Sequence, residues 1–251
     1  MVEHGSRSIA IAALGLFVGL GMMGGMVGAA LVLERPLGQA VKFQDKLSVK
    51  GYAEERVRSD MAKWTGRVSV RDPDLQKAYA NLRASREKVE AFLDGSGFAD
   101  ASLDISPIHT MVHYRYSPTH GMTNEVQAYE LSHTITVTSA DVDRIDAMSR
   151  DVTGLMQDGV MLMSHAPQYY FTELEDLKIA LLAAATENAH VRARTLAESS
   201  GARAGALRSA RQGVFQVTSA ISTETSDYGM YDTSSIDKAV KAVVTVEFAI
   251  D

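Results

Sequence analysis

The chain contains no cysteine, which excludes a disulfide framework, thiol catalysis and any Cys-ligated metal. Basic charge is the minority, 25 Lys+Arg against 31 Asp+Glu, for a net charge of −6. No basic stripe with interleaved aromatics offsets that balance, so phosphate backbones are repelled and no nucleic-acid partner is expected. Gly-x-Ser-x-Gly and Gly-x-x-x-x-Gly-Lys are both absent, which removes the nucleophile elbow and the phosphate cradle. The acids Glu224, Asp227, Asp232 and Asp237 lack the spacing of a calcium loop. No catalytic residue, cofactor or metal site is expected, and the chain reads as a non-enzyme.

What is present is ordinary globular material: 46% hydrophobic and 22% charged over 251 residues, enough for one large domain or two small ones. The first segment differs. From 9 to 33 the chain has 25 residues without charge, Asn, Gln or Pro, closed by Glu34, Arg35 and Pro36. As a helix it would run roughly 37 Å, longer than the ~30 Å hydrocarbon core of a bilayer. A transmembrane signal-anchor over 1–36 is therefore expected, contacting the lipid bilayer through residues 9–33. A cleaved signal peptide is the alternative, but the run exceeds the usual apolar core of one. Gly15 and Gly19, Gly21 and Gly25, and Gly24 and Gly28 each stand four apart. Such spacing opens a groove for close helix packing in lipid, so self-association is expected there. Charge alone leaves the orientation open, because Arg35, Lys42, Lys46 and Lys50 follow the segment while long domains cross regardless of charge.

Beyond Pro36 the pattern turns to strands and helices. Residues 61–71 alternate, with Ala62, Trp64, Gly66, Val68 and Val70 on one face and Lys63, Thr65, Arg67, Ser69 and Arg71 on the other; Trp64 is expected to be buried. The run 129–138 repeats the alternation, and so does the C-terminal run through Val240, Ala242, Val244, Val246, Phe248 and Ile250. Weaker strands are expected over 43–53, 103–116, 160–171 and 207–221. Three helices separate them. The first is capped by Asp72 with Pro73, on a stripe of Leu75, Tyr79, Leu82, Val89, Phe92 and Leu93. The second starts at Ser139 on Val142, Ile145, Met148, Val152 and Met156, and the third runs from Thr172 and Glu175 to Gly201. The expected class is α+β: an N-terminal single transmembrane helix, then an antiparallel-rich sheet with helices packed on one face, as a domain over 37–251. Residues 222–237 read as an exposed, solvated loop.

Histidines 109, 113, 120, 133 and 165 invite a metal reading, but His109 and His113 on one strand face stand about 13 Å apart. His133 lies on the apolar face of its strand and reads as a hydrogen-bonded core residue. The acids Glu173, Glu175 and Asp176 open a helix and suit its dipole. Among the methionines, Met148, Met156, Met161 and Met163 are expected in the core, leaving Met122 and Met230 exposed.

The order of these signatures resembles the SIMPL-domain family, which includes bacterial oxidative-stress defence and periplasmic immunogenic proteins. The resemblance covers roughly 47–250. It is carried by Ser48-Val49-Lys50-Gly51-Tyr52-Ala53, Ser59-Asp60-Met61-Ala62, Ile105-Ser106-Pro107, Tyr114-Arg115-Tyr116, the run Ala189, Ala193, Leu196-Ala197, Gly201 and Gly205, and the closing 244–248 strand. Ala53 and Ser59 depart from the Gly and Pro usual in the family. The resemblance implies an extracytoplasmic (periplasmic) domain with no established catalytic residues, self-assembling into a large homo-oligomer and contributing to stress tolerance. An extracytoplasmic ligand- or partner-binding module without large assembly is the alternative expectation.

Overall fold

Two prolines and a glycine set where the strands break. Pro107 and Pro167 cannot donate to a sheet ladder, and the expected strands over 103–116 and 160–171 each divide there. The structure, a computed structural model, describes residues 46–98, 103–119 and 121–251. In it the first pair is β3 (Leu103–Ile105) and β4 (His109–Ser117), and the second is β6 (Met161–Ser164) and β7 (Gln168–Tyr170). A similar break at Gly213 gives β8 (Ala204–Gln212) and β9 (Gln216–Ser219). The remaining strands are β1 (Lys46–Arg58), β2 (Met61–Asp72), β5 (Gly121–Ser139), β10 (Met230–Tyr231) and β11 (Asp237–Ile250).

The α+β class holds, with two corrections. There are two sheets instead of one. A five-stranded sheet has the order β1-β11-β9-β10 with β8 also on β11, and β10 lies parallel to β9. A six-stranded sheet has the order β3-β5-β2-β6, with β4 on β5 and β7 on β2. The transmembrane helix is not part of the described fold: among the described residues no helix is long and apolar enough to cross a membrane. Residues 9–33, where it was expected, lie outside the described residues.

Three α-helices form where expected, with shifted starts; of the first expected stripe Leu82, Val89 and Leu93 are buried, while Leu75 and Tyr79 are exposed. Helix α1 (Leu75–Gly95) is capped by Asp74, whose carboxylate accepts from the backbone N–H groups of Gln76 and Lys77. Asp72 instead accepts from the N–H of Asp74, so the cap falls two residues after the expected one. Helix α2 (Val142–Asp151) is capped by Asp141 and runs into a 3₁₀ turn, Val152–Met156. Helix α3 spans Leu174–Ser199.

Contacts divide the chain into two units. The larger comprises Lys50–Arg192 and Ala210–Val246. Its core joins α1 and α2 to the apolar face of the six-stranded sheet. Trp64, Val68, Leu82, Val89, Leu93, Ile135, Val137, Ile145 and Val152 are all essentially inaccessible there. Trp64 faces Val137 across the β2–β5 ladder and donates from Nε1 to Ser164 Oγ at 2.9 Å. Gly66 makes room for the indole, because a Cβ there would lie 2.3 Å from the ring. In the same unit β1 crosses α3 closely: a Cβ on Gly51 would meet the carbonyl oxygen of Ala185 at 1.9 Å. The smaller unit comprises, among the described residues, 46–49, Ala193–Ser209 and Glu247–Asp251. It is held by reciprocal backbone bonds between Arg203 and Asp251 and by a 2.9 Å ion pair of Lys46 with Glu247.

Candidate functional site

Strand β5 has 19 residues, far more than β2 and the helices can cover. Its N-terminal part pairs with β4 alone, and the two form a hairpin closed by Gly121 at φ 73°. No residue of β4 is buried. Cross-strand partners Tyr114 and Val126, and Tyr116 and Met122, are all exposed, Tyr116 at 68% and Met122 at 74%. Met111 is exposed too, opposite Glu130. The outer edge of β4 has no strand beside it among the described residues. Unpaired N–H and C=O groups beside large exposed apolar side chains are the signature of a surface that pairs with another chain. Polar contacts stiffen the hairpin: Thr123 Oγ1 donates to the Arg115 carbonyl, and His113 Nε2 lies 2.7 Å from Glu130 Oε2.

The 222–237 segment is the second locus: it is exposed or half-exposed throughout, as expected of a loop, but its backbone is pinned from below. Two lysines of β11 are buried beneath it. Lys238 Nζ donates to the carbonyls of Asp232 and Ser235, each at 2.6 Å, and Lys241 Nζ donates to the Ser222 carbonyl at 2.6 Å. The Gln216 side chain adds a clasp, donating to the Ser226 carbonyl and accepting from the Ser226 N–H. Asp232 accepts from the N–H and hydroxyl of Ser234 and from the Ser235 hydroxyl, with Lys238 Nζ 3.9 Å away. Burial pushes the Asp232 carboxyl up, but those hydrogen bonds and the nearby ammonium outweigh it and hold the group below the usual carboxylate range. Burial lowers Lys238, with Asp232 opposing. A cavity of about 360 Å³ opens among Thr218, Ser222, Glu224, Tyr231, Asp232 and Ser234. Every ammonium hydrogen bond here goes to the protein's own carbonyls, so the lysines act as staples for the loop.

The other expected positions are placed as follows. Gly15, Gly19, Gly21, Gly24, Gly25, Gly28 and His120 lie outside the described residues. His133 is buried as expected, with Nδ1 2.7 Å from the Ser106 carbonyl oxygen. Among the described residues no three His, Asp or Glu converge as a metal would require. Glu175 at the start of α3 pairs with Lys178 at 2.7 Å. Asp60, from the family-like Ser59-Asp60 pair, accepts from the N–H and hydroxyl of Thr172 and so ties the β1–β2 turn to the segment entering α3. Met161 and Met163 are not core residues. In the short strand β6, Leu162 takes the inward position and both methionines point outward, opposite Ser69 and Arg67. Met156 is exposed as well, whereas Met148 is buried. The hairpin escaped the sequence reading because Tyr114, Tyr116 and Val126 look like core residues until β4 is seen to have nothing over it.

Among curated proteins no sequence matches this one. Among solved structures the chain is similar to an uncharacterized conserved protein from Listeria innocua, with 15% identity, 79% of this chain and 92% of that one covered, and a TM-score of 0.20. A global superposition that poor fixes no residue correspondence. The family model described as SIMPL, protein of unknown function (DUF541), matches residues 47–248. That span takes in every described strand and helix apart from the outermost residues of β1 and β11, and the chain belongs to the SIMPL family.

Proposed function

We propose that the protein is a non-enzymatic protein of the cell envelope whose SIMPL domain self-assembles into a large homo-oligomer and contributes to tolerance of oxidative stress. The observation that carries the reading is the β4–β5 hairpin, with Tyr114, Tyr116, Met122 and Val126 exposed beside an unpaired strand edge. A second copy supplies both a strand for that edge and apolar surface for those side chains. The extracytoplasmic location rests on the family resemblance. Membrane association rests on the uncharged run 9–33, with no particular secondary structure assumed there. The stress role is favoured by the outward-facing Met111, Met122, Met161 and Met163, because an exposed thioether takes up oxygen reversibly as the sulfoxide.

The deciding experiment is the mass of the detergent-extracted full-length protein beside that of Tyr116→Asp with Met122→Asp. A multimer in the first and a smaller species in the second are expected. A monomeric full-length protein rejects the assembly reading. For location, a reporter active only in the periplasm, fused after Asp251, should be active, and its silence beside an active cytoplasmic reporter reverses the assignment. A deletion strain that survives peroxide as well as its parent removes the stress role.

A further inference from the structure

Away from the hairpin and the lysine-pinned loop, β6 carries Met161-Leu162-Met163-Ser164, and His165 follows it. Two inward anchors fix the parity of this strand: Leu162 is buried, and Ser164 Oγ accepts from the buried Trp64 indole at 2.9 Å. His165 keeps the ladder for one more bond, its N–H donating to the Thr65 carbonyl at 3.0 Å. Met161, Met163 and His165 therefore share the outward face. The two methionines are 63% and 60% exposed. The His165 ring is exposed too, with no hydrogen-bond partner among the described residues.

Residues two apart on one strand face stand about 7 Å apart at Cα. A thioether on three rotatable bonds reaches half that gap, which lets Met163 share an ion with Met161. His165 follows Met163 at the same spacing, and the strand bends just past it. From Gly66–Ser164 to Lys63–Gln168, β2 advances three residues and the opposing side four, which makes a bulge around Pro167. A bulge bends its strand and re-aims the side chains beside it. Opposite the three lie Ser69, Arg67 and Thr65, with no carboxylate to attract a hard cation. The Arg67 guanidinium is turned away, donating from Nε and Nη2 to Ser132 Oγ of β5 at 3.1 and 2.8 Å.

We propose that Met161, Met163 and His165 bind a single copper(I) ion, with Met163 the ligand shared by its two neighbours. Thioether sulfur is a soft, uncharged donor, and soft donors select copper(I) over hard cations, while imidazole also suits copper. No carboxylate of β6 or of the opposed stretch of β2 offsets the charge of the ion. A divalent ion would meet Arg67 with twice the repulsion that a monovalent one does. The site lies away from the hairpin and does not rest on the assembly reading.

The test is an anaerobic titration of the detergent-extracted full-length protein with copper(I), against the chromophoric chelator bicinchoninate. Saturable uptake is expected. Met163→Leu removes the shared ligand and should weaken it about tenfold or more, and Met161→Leu and His165→Ala should each weaken it less. All three side chains are exposed, so Trp64 emission should stay unchanged in the variants. A second measurement needs no variant. Silver(I), a redox-inert stand-in for copper(I), should shield Met161 and Met163 from peroxide oxidation, read by peptide mass spectrometry, and leave Met111 and Met122 as reactive as before. No saturable uptake, unchanged uptake in folded Met163→Leu, displacement by zinc(II) at equal concentration, or equal shielding of all four methionines each overturns the assignment.

Discussion

Strand β5 passes through two environments, and the contrast between them explains most of the molecule. From 122 to 127 its residues are exposed or half-exposed, whereas Leu131, His133, Ile135 and Val137 are buried. The second part alternates apolar and polar residues, whereas the first carries only Met122 and Val126 as large apolar side chains. The difference lies in what covers them: α1 and α2 lie over the second part, and nothing among the described residues lies over the first. Apolar burial stabilises only where an opposing surface removes the side chain from water. Apolar side chains are therefore core at one end of the strand and exposed surface at the other.

The largest expected effect lies in the covered part. Trp64→Ala should destabilise the domain by about 3–5 kcal/mol through lost transfer energy and the cavity left behind. Denaturant unfolding measures it, and a cost under 1 kcal/mol would mean the α1–sheet layer tolerates a void that close packing forbids. Lys238→Met comes next. It removes two hydrogen bonds and leaves the Asp232 and Ser235 carbonyls under-satisfied, at about 1–3 kcal/mol. Hydrogen exchange should rise over 222–236 while Trp64 emission stays fixed, and a uniform rise over the whole domain would show that the loop is not a separate region.

Acid should act next, on Asp232 and on Asp146. Asp146 is held low first by the Arg150 guanidinium, against burial, and further by the Tyr169 hydroxyl. A carboxyl depressed in the fold contributes stability above its unfolded pKa of about 4, and that contribution is lost as pH falls through the lower folded value. Unfolding midpoints should drop between pH 5 and pH 2, and less so in Asp146→Asn. The alkaline side mirrors this: burial, then the Asp146 hydrogen bond, raises Tyr169 to about 12. Its contribution is complete below about pH 10 and is lost as the pH climbs towards 12. The smallest effect on stability belongs to the hairpin, where Tyr116→Asp should stay within about 0.5 kcal/mol as a surface change. A loss of several kcal/mol would place Tyr116 in a core after all.

Some of this was legible from individual residues. The β2 alternation placed Trp64 inward, and the structure agrees. The parity of 129–138 made His133 a bonded core residue, which it is. Helix starts were read within a few residues, because Asp72, Asp74 and Asp141 are all competent caps and only the backbone path decides which one serves. Met161 and Met163 were misplaced, because a four-residue strand between turns carries too few positions to define a face. The burial of the β11 lysines had no local signal, since nothing nearby announces that a serine-rich loop returns to supply them with carbonyls.

The sequence by itself determined the α+β class, the SIMPL signatures, the inward face of β2, β5 and β11, and the positions of the helices. Those follow from period, capping and turn chemistry, which act between near neighbours. Tertiary structure alone decided that there are two sheets, that the 222–237 loop is pinned over buried lysines, and that half of β5 is left uncovered. Each of these depends on which surface arrives opposite a given side chain, and that is set by contacts distant in sequence.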